Sequence, residues 1–171
     1  MKSEKTYLEM HLAQDEEAKA VLELGFFLIQ AYQKLKSFLE EAEKMLHGTK
    51  LHINEIVVLH IIRIHNKPKS VSVIHLLADF YDDYLIAYTI KKLVKLKLIQ
   101  KVRSEEAKTT GANYQITELG IQHTDAYVNL RKKTLFASFQ EEKLDTKGIT
   151  DQLKSLIQVY TKSLHKLIIK S

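Results

Sequence analysis

The apolar positions of this chain fall into helical stripes interrupted once by a short alternating stretch. From about Asp15 to His47 they step by three and four, with Leu24, Leu28, Ala31, Leu35, Phe38, Ala42 and Met45 forming a heptad-like seam. Leu22, Phe27, Ile29, Tyr32, Leu39 and Leu46 add apolar surface beside it. That stripe is wider than one packing partner covers, so the helix is expected to pack on its own domain and on a second subunit. A chain of 171 residues is too short to surround such a helix alone. Gly48 is placed to cap its C-terminus. His52 to His65 reads as a second, mostly buried helix, carrying Ile53, Ile56, Val57, Leu59, Ile61, Ile62 and Ile64. Asn66-Lys67-Pro68-Lys69 ends it, because proline cannot continue a helix.

Ser70 or Ser72 can cap a third helix over Ser72–Phe80, and Asp82 or Asp83 a fourth over Tyr84–Lys97. Leu98–Arg103 alternates as a strand, Ser104–Gly111 is a polar tip, and Ala112–Ile116 is the returning strand. Thr117 caps a helix over Glu118–Glu141. After a charged break at Glu142–Gly148, a last helix over Ile149–Ile169 carries Ile149, Leu153, Leu156, Tyr160, Leu164 and Leu167 on one face. The fold class is therefore mainly α with a small β-hairpin. Helix, hairpin and helix in this order make a winged helix-turn-helix, flanked by long N- and C-terminal helices suited to dimerisation. The regions are 1–47 for the first dimerisation helix, 48–120 for the winged helix, and 121–171 for the C-terminal helices, forming one intertwined domain.

Charge sharpens that picture. Residues 1–47 hold six Lys and nine Asp+Glu, a net of −3, whereas residues 66–108 hold nine Lys+Arg and five Asp+Glu, a net of +4. A basic centre beside an acidic first helix suits a polyanionic partner, and also ordinary lysine-rich surface. On the Tyr84–Lys97 helix, Ile86, Ile90, Leu93 and the stem of Lys97 should face the core. Tyr84, Ala87, Tyr88, Lys91 and Lys95 form a second, outward stripe. In a major groove, Ala87 permits close approach, the tyrosines touch bases or phosphates, and Lys91 donates to guanine or neutralises phosphate. Lys92, Lys95, Arg103 and Lys108 are the candidate phosphate contacts, with Lys67, Lys69, Ser70 and Ser72 holding the backbone near the first half of the motif. Double-stranded DNA is the expected partner.

Other chemistry is sparse. There are no cysteines, which excludes thiol catalysis, disulfides and Cys-based zinc sites. No phosphate-binding glycine loop or catalytic triad spacing exists, so no enzyme activity and no cofactor are expected. None of the eight histidines pairs with another at i,i+4, and no metal site is expected. His60 and Arg63 on the apolar second helix are candidate ligand contacts, unless a carboxylate partners them. The charged N-terminus and the lack of an apolar run of ~18 residues point to a cytoplasmic protein with no membrane contact.

Several local motifs resemble those of the MarR/SarA regulators. Lys92-Leu93 through Leu98-Ile99 is similar to the family's leucine-rich end of the recognition helix and its Gly-Leu-Ile exit, with Lys97 where glycine is usual. Ile116-Thr117-Glu118-Leu119-Gly120 looks like its Leu-Thr-Glu-x-Gly, and Arg103-Ser104-Glu105-Glu106 is similar to the start of its wing. The resemblance covers Leu24 to about Tyr127. It implies a homodimeric transcription regulator with recognition helices in successive major grooves, wings in the minor groove, and in many members release by a small-molecule effector. The tip Ala107-Lys108-Thr109-Thr110 carries no arginine, and Tyr84-Leu85 stand where Ser-Thr often opens the family's recognition helix. Two alternatives follow from the residues themselves: a protein-interaction winged helix without DNA binding, and a ligand sensor working through a dimer cleft.

Overall fold

In a computed structural model, residues 15–48, 51–102 and 112–170 are described. They divide into two compact units, one ending at Tyr127 and one beginning at Val128. The first unit opens with helix α1, Glu16–His47. Asp15 caps it by accepting the Ala18 N–H at 2.7 Å, and Gly48 ends it at φ 61°, the left-handed conformation that costs glycine nothing. Helix α2, Ile53–Arg63, is the centre of the core: Ile56, Val58, Leu59 and Ile62 are fully buried. A tight turn at Ile64–Asn66 follows, then strand β1 at Lys69–Ser70 and helix α3 at Val71–Leu77. Ser70, not Ser72, is the cap, its hydroxyl accepting the Val73 N–H at 3.3 Å.

Helix α4 spans Asp83–Lys95, capped by Asp82, which accepts the Leu85 N–H at 2.7 Å. Strands β2, Ile99–Val102, and β3, Asn113–Ile116, pair antiparallel with Ile99 opposite Ile116. The two-residue β1 adds to the other side of β3, Lys69 opposite Tyr114, giving the sheet order β1-β3-β2. This third strand is too short to leave a period-2 signature, which is why the sequence pattern shows only a hairpin. Helix α5, Glu118–Arg131, runs across the boundary between the two units.

One expectation about α4 is corrected. The helix stops two residues before Lys97, which sits at φ 60°. The Leu98 N–H donates to the Leu93 carbonyl at 3.1 Å and the Lys97 N–H to Val94 at 2.9 Å, the bond pattern of a left-handed helix cap. The Lys97 side chain is therefore turned out to solvent instead of laying its stem on the core. A left-handed φ is the conformation that glycine adopts without strain.

The second unit holds the end of α5, a wide π turn at Lys132–Phe136, α6 at Ala137–Glu141 and α7 at Thr146–Lys170. The turn keeps right-handed helical dihedrals at both ends, so Glu118–Glu141 is a near-continuous helical run with one widened turn. Apolar residues recur along α7, yet Leu153, Ile157, Tyr160, Leu164 and Leu167 are all exposed.

Candidate nucleic-acid interface

The presentation of α4 follows from its two faces. Ile86, Ile90 and Leu93 are buried to 4% exposure or less and seat the helix on the core. Tyr84, Ala87, Tyr88, Lys91 and Lys95 are all exposed, so the outward stripe read from the sequence is one surface in the structure. Tyr84 is 82% exposed, an unusual position for so large an aromatic group unless something covers it. The acidic groups at the start of the helix have local work. Asp82 is the cap, and Asp83 pairs with the His75 ring at 2.9 Å.

Three of the proposed DNA contacts are otherwise engaged. Lys92 pairs at 3.0 Å with Glu55, whose side chain is 2% exposed. The same carboxylate accepts the His52 backbone N–H at 2.5 Å, so one buried acid both caps α2 and tethers α4. Lys92 therefore positions the helix and is not a free phosphate contact. Lys69 is buried, and its ammonium donates to the carbonyls of Ile62, Ile64 and Lys67 at 3.1, 2.5 and 3.2 Å. Those carbonyls are orphaned where α2 ends, and a cation satisfies them well. Burial holds the Lys69 ammonium below its usual range. Ser70 is spent on capping α3, whereas Lys67 and Ser72 are exposed. Arg103 and Lys108 lie outside the described residues.

The candidate ligand contacts also have partners. Arg63 donates to the Thr124 hydroxyl at 3.3 Å and to the Asp125 carboxylate at 3.2 Å, linking α2 to α5. The half-buried His60 ring stands 5.2 Å from the Tyr127 ring. These contacts join α2 to α5. Thr117 strengthens the same joint. Its hydroxyl donates to the Lys97 carbonyl at 2.7 Å and accepts the Gly120 N–H at 3.1 Å. Gly120 is obligatory here: a Cβ would strike the Leu98 carbonyl oxygen and come within 2.7 Å of Ile116 Cγ1. The Thr-Glu-x-Gly motif is thus the point where α5 packs directly onto the root of the wing.

Sequence reasoning missed three features. Lys97 and Lys101 are exposed cations next to α4, one freed by the left-handed turn and one on β2. Glu43, His47 and His123 meet in the interior and form a group of the kind that can hold a metal ion. A signal existed for part of it, since Glu43 and His47 are four residues apart on one face of α1. No pair of histidines at i,i+4 marks the cluster, and His123 is 80 residues from Glu43.

Residues 51–120 match the family model described as a winged helix DNA-binding domain. No curated protein is similar to the chain at the level of sequence. Among solved structures, a mutant MarR from E. coli complexed with operator DNA is similar with a TM-score of 0.65 and 16% identity, covering 85% of this chain and 99% of that one. AbfR of Staphylococcus epidermidis gives 0.64 and 16%, covering 86% and 97%. The transcriptional regulator BldR from Sulfolobus solfataricus gives 0.61 and 16%, covering 86% and 99%. The fold over residues 51–120 is a winged helix-turn-helix, and the chain is similar in fold to these three structures. No helix among the described residues is long and apolar enough to cross a membrane.

Proposed function

We propose that this protein is a homodimeric DNA-binding transcription regulator of the MarR type that reads the major groove with α4. The observation that carries the reading is the outward stripe of α4. It presents Tyr84, Ala87, Tyr88, Lys91 and Lys95 from a helix whose opposite face is locked into the core. Tyr84, Ala87 and Tyr88 meet base edges and sugars, and Lys91 and Lys95 neutralise phosphates. Lys67, Lys97 and Lys101 extend the cationic surface on either side, and Ser72 lies at the first turn of α3, where backbone contacts are made. The MarR mutant solved on operator DNA supports the same use of this fold.

The proposed dimerisation rests on apolar surface that is exposed among the described residues. Leu24, Phe26, Phe27, Ile29, Tyr32 and Leu35 of α1 are exposed. A second copy supplies the cover and sets two α4 helices on successive major grooves, about 34 Å apart.

One observation favours the protein-interaction reading. Leu76 and Phe80, in α3 and just after it, are 74% and 64% exposed, and Tyr84 and Tyr88 of α4 are 82% and 53% exposed. Binding of genomic DNA fragments by fluorescence anisotropy separates the two. The DNA reading predicts binding that weakens steeply with salt, and the protein reading predicts none at low salt.

A further inference from the structure

The interior of the first unit contains a polar cluster that the DNA-binding reading does not use. Glu43 is 1% exposed and His123 5% exposed, and the His123 Nε2 stands 2.5 Å from Glu43 Oε2. The His47 ring stacks on the His123 ring with centroids 3.5 Å apart and planes inclined by 14°. His47 Nε2 is buried and has no hydrogen-bond partner among the described residues. One ligand atom from each of the three side chains lies within 4.8 Å of the other two.

As a purely structural network this arrangement is incomplete. A buried ring nitrogen without a partner costs about 1–3 kcal/mol, and two imidazoles stacked face to face gain little to offset it. Burial holds His47 below its usual range, and the neighbouring His123 ring adds to that effect against the pull of Glu43 and a contact to the His123 backbone. The buried His47 ring nitrogen without a hydrogen-bond partner among the described residues is what points to a ligand.

We propose that Glu43, His47 and His123 form a binding site for a divalent transition-metal ion of the zinc class, clamping the C-terminal end of α1 to α5. Two imidazoles and one carboxylate are a known zinc donor set, with a water completing the tetrahedron. Calcium and magnesium are disfavoured, because they take oxygen ligands. Tetrahedral ligation at about 2.0–2.1 Å sets neighbouring ligand atoms about 3.3 Å apart. The Glu43–His123 pair must open by under an ångström, and the stacked His47 and His123 rings must swing out of parallel, because each ring binds a metal through a lone pair in its own plane. Metal ions compete with protons for imidazole and carboxylate ligands in general, so binding at such a donor set weakens as pH falls. The site stands on this geometry alone and is independent of whether α4 binds DNA.

The test titrates the full-length protein with Zn2+ by calorimetry and with Co2+ by visible absorption. The expected result is one ion per chain with Kd near about 1 µM or tighter, a tetrahedral Co2+ spectrum, and a raised melting temperature with Zn2+. His47→Ala should weaken binding at least about tenfold and abolish the thermal shift. Glu43→Gln repeats the measurement with the side-chain shape retained, in case His47→Ala fails to fold. No binding by the wild-type protein overturns the site, as does equal binding by a folded variant, since six other histidines lie outside the cluster and ligands would then come from among them.

Discussion

The winged-helix core and the two long terminal helices solve the same problem in opposite ways. In the core, α2 is enclosed by α3, α4 and the sheet, and Ile56, Val58, Leu59, Ile62, Ile74, Ile86 and Leu93 are at most 2% exposed. In α1 the buried residues are confined to its last turns, at Leu39, Ala42 and Glu43, while the apolar stripe upstream stays open. The described residues of α7 include no buried one, although Leu153, Leu164 and Leu167 recur at helical spacing. Apolar residues at helical spacing therefore have different consequences in the two regions. The core is closed by α2, α3, α4 and the sheet, and the terminal helices carry apolar faces left exposed among the described residues.

The largest expected effect breaks the terminal helices. The double variant Leu24→Asp/Phe27→Asp should convert dimer to monomer, read by light scattering. Two side chains on each of two chains lose burial worth about 1.5 kcal/mol or more apiece, about 6 kcal/mol together, or about 10⁴-fold in Kd. The helical circular dichroism of the core should persist. An unchanged dimer would mean that this face of α1 is not the interface.

Next is a change inside the core. Glu55→Gln weakens both the tether to Lys92 and the cap at His52, and breaking a buried pair from one side costs about 3 kcal/mol. Urea denaturation should show a lowered midpoint, and an unchanged midpoint would make the Glu55–Lys92 pair incidental. Gly120→Ala should cost about 2 kcal/mol, because the methyl group meets backbone at Leu98 and the α5–wing joint must open. The smallest effect has the opposite sign. The Thr89 hydroxyl is buried without a hydrogen-bond partner among the described residues, so Thr89→Val should stabilise by about 1 kcal/mol and leave DNA binding unaltered. A loss of stability would reveal a partner for that hydroxyl.

The same contrast governs what could be read from the sequence. Helices α1, α2 and α4 were legible because their apolar residues recur with the helical period, and the caps at Asp15, Gly48 and Asp82 stand where the pattern ends. The outward stripe of α4 followed from the same period. Contacts across elements were not legible. Periodicity shows that Lys92 lies beside the core face of α4, but not that Glu55 waits opposite it. Lys69 looks like any loop lysine until the carbonyls at the end of α2 converge on it. Net charge counted both as available to DNA, and folding removes them. The Glu43–His123 pair lies still further from sequence reach, because its partners are 80 residues apart.

The most direct test of the central claim is the salt dependence of DNA binding by the wild-type protein and Lys91→Ala. Fluorescence anisotropy across about 50–200 mM salt should give a steep linear fall of log K against log salt. Lys91→Ala should lower that slope by about one unit and weaken binding on all sequences. No binding at low salt, or a slope identical in the two proteins, would contradict a major-groove role for α4.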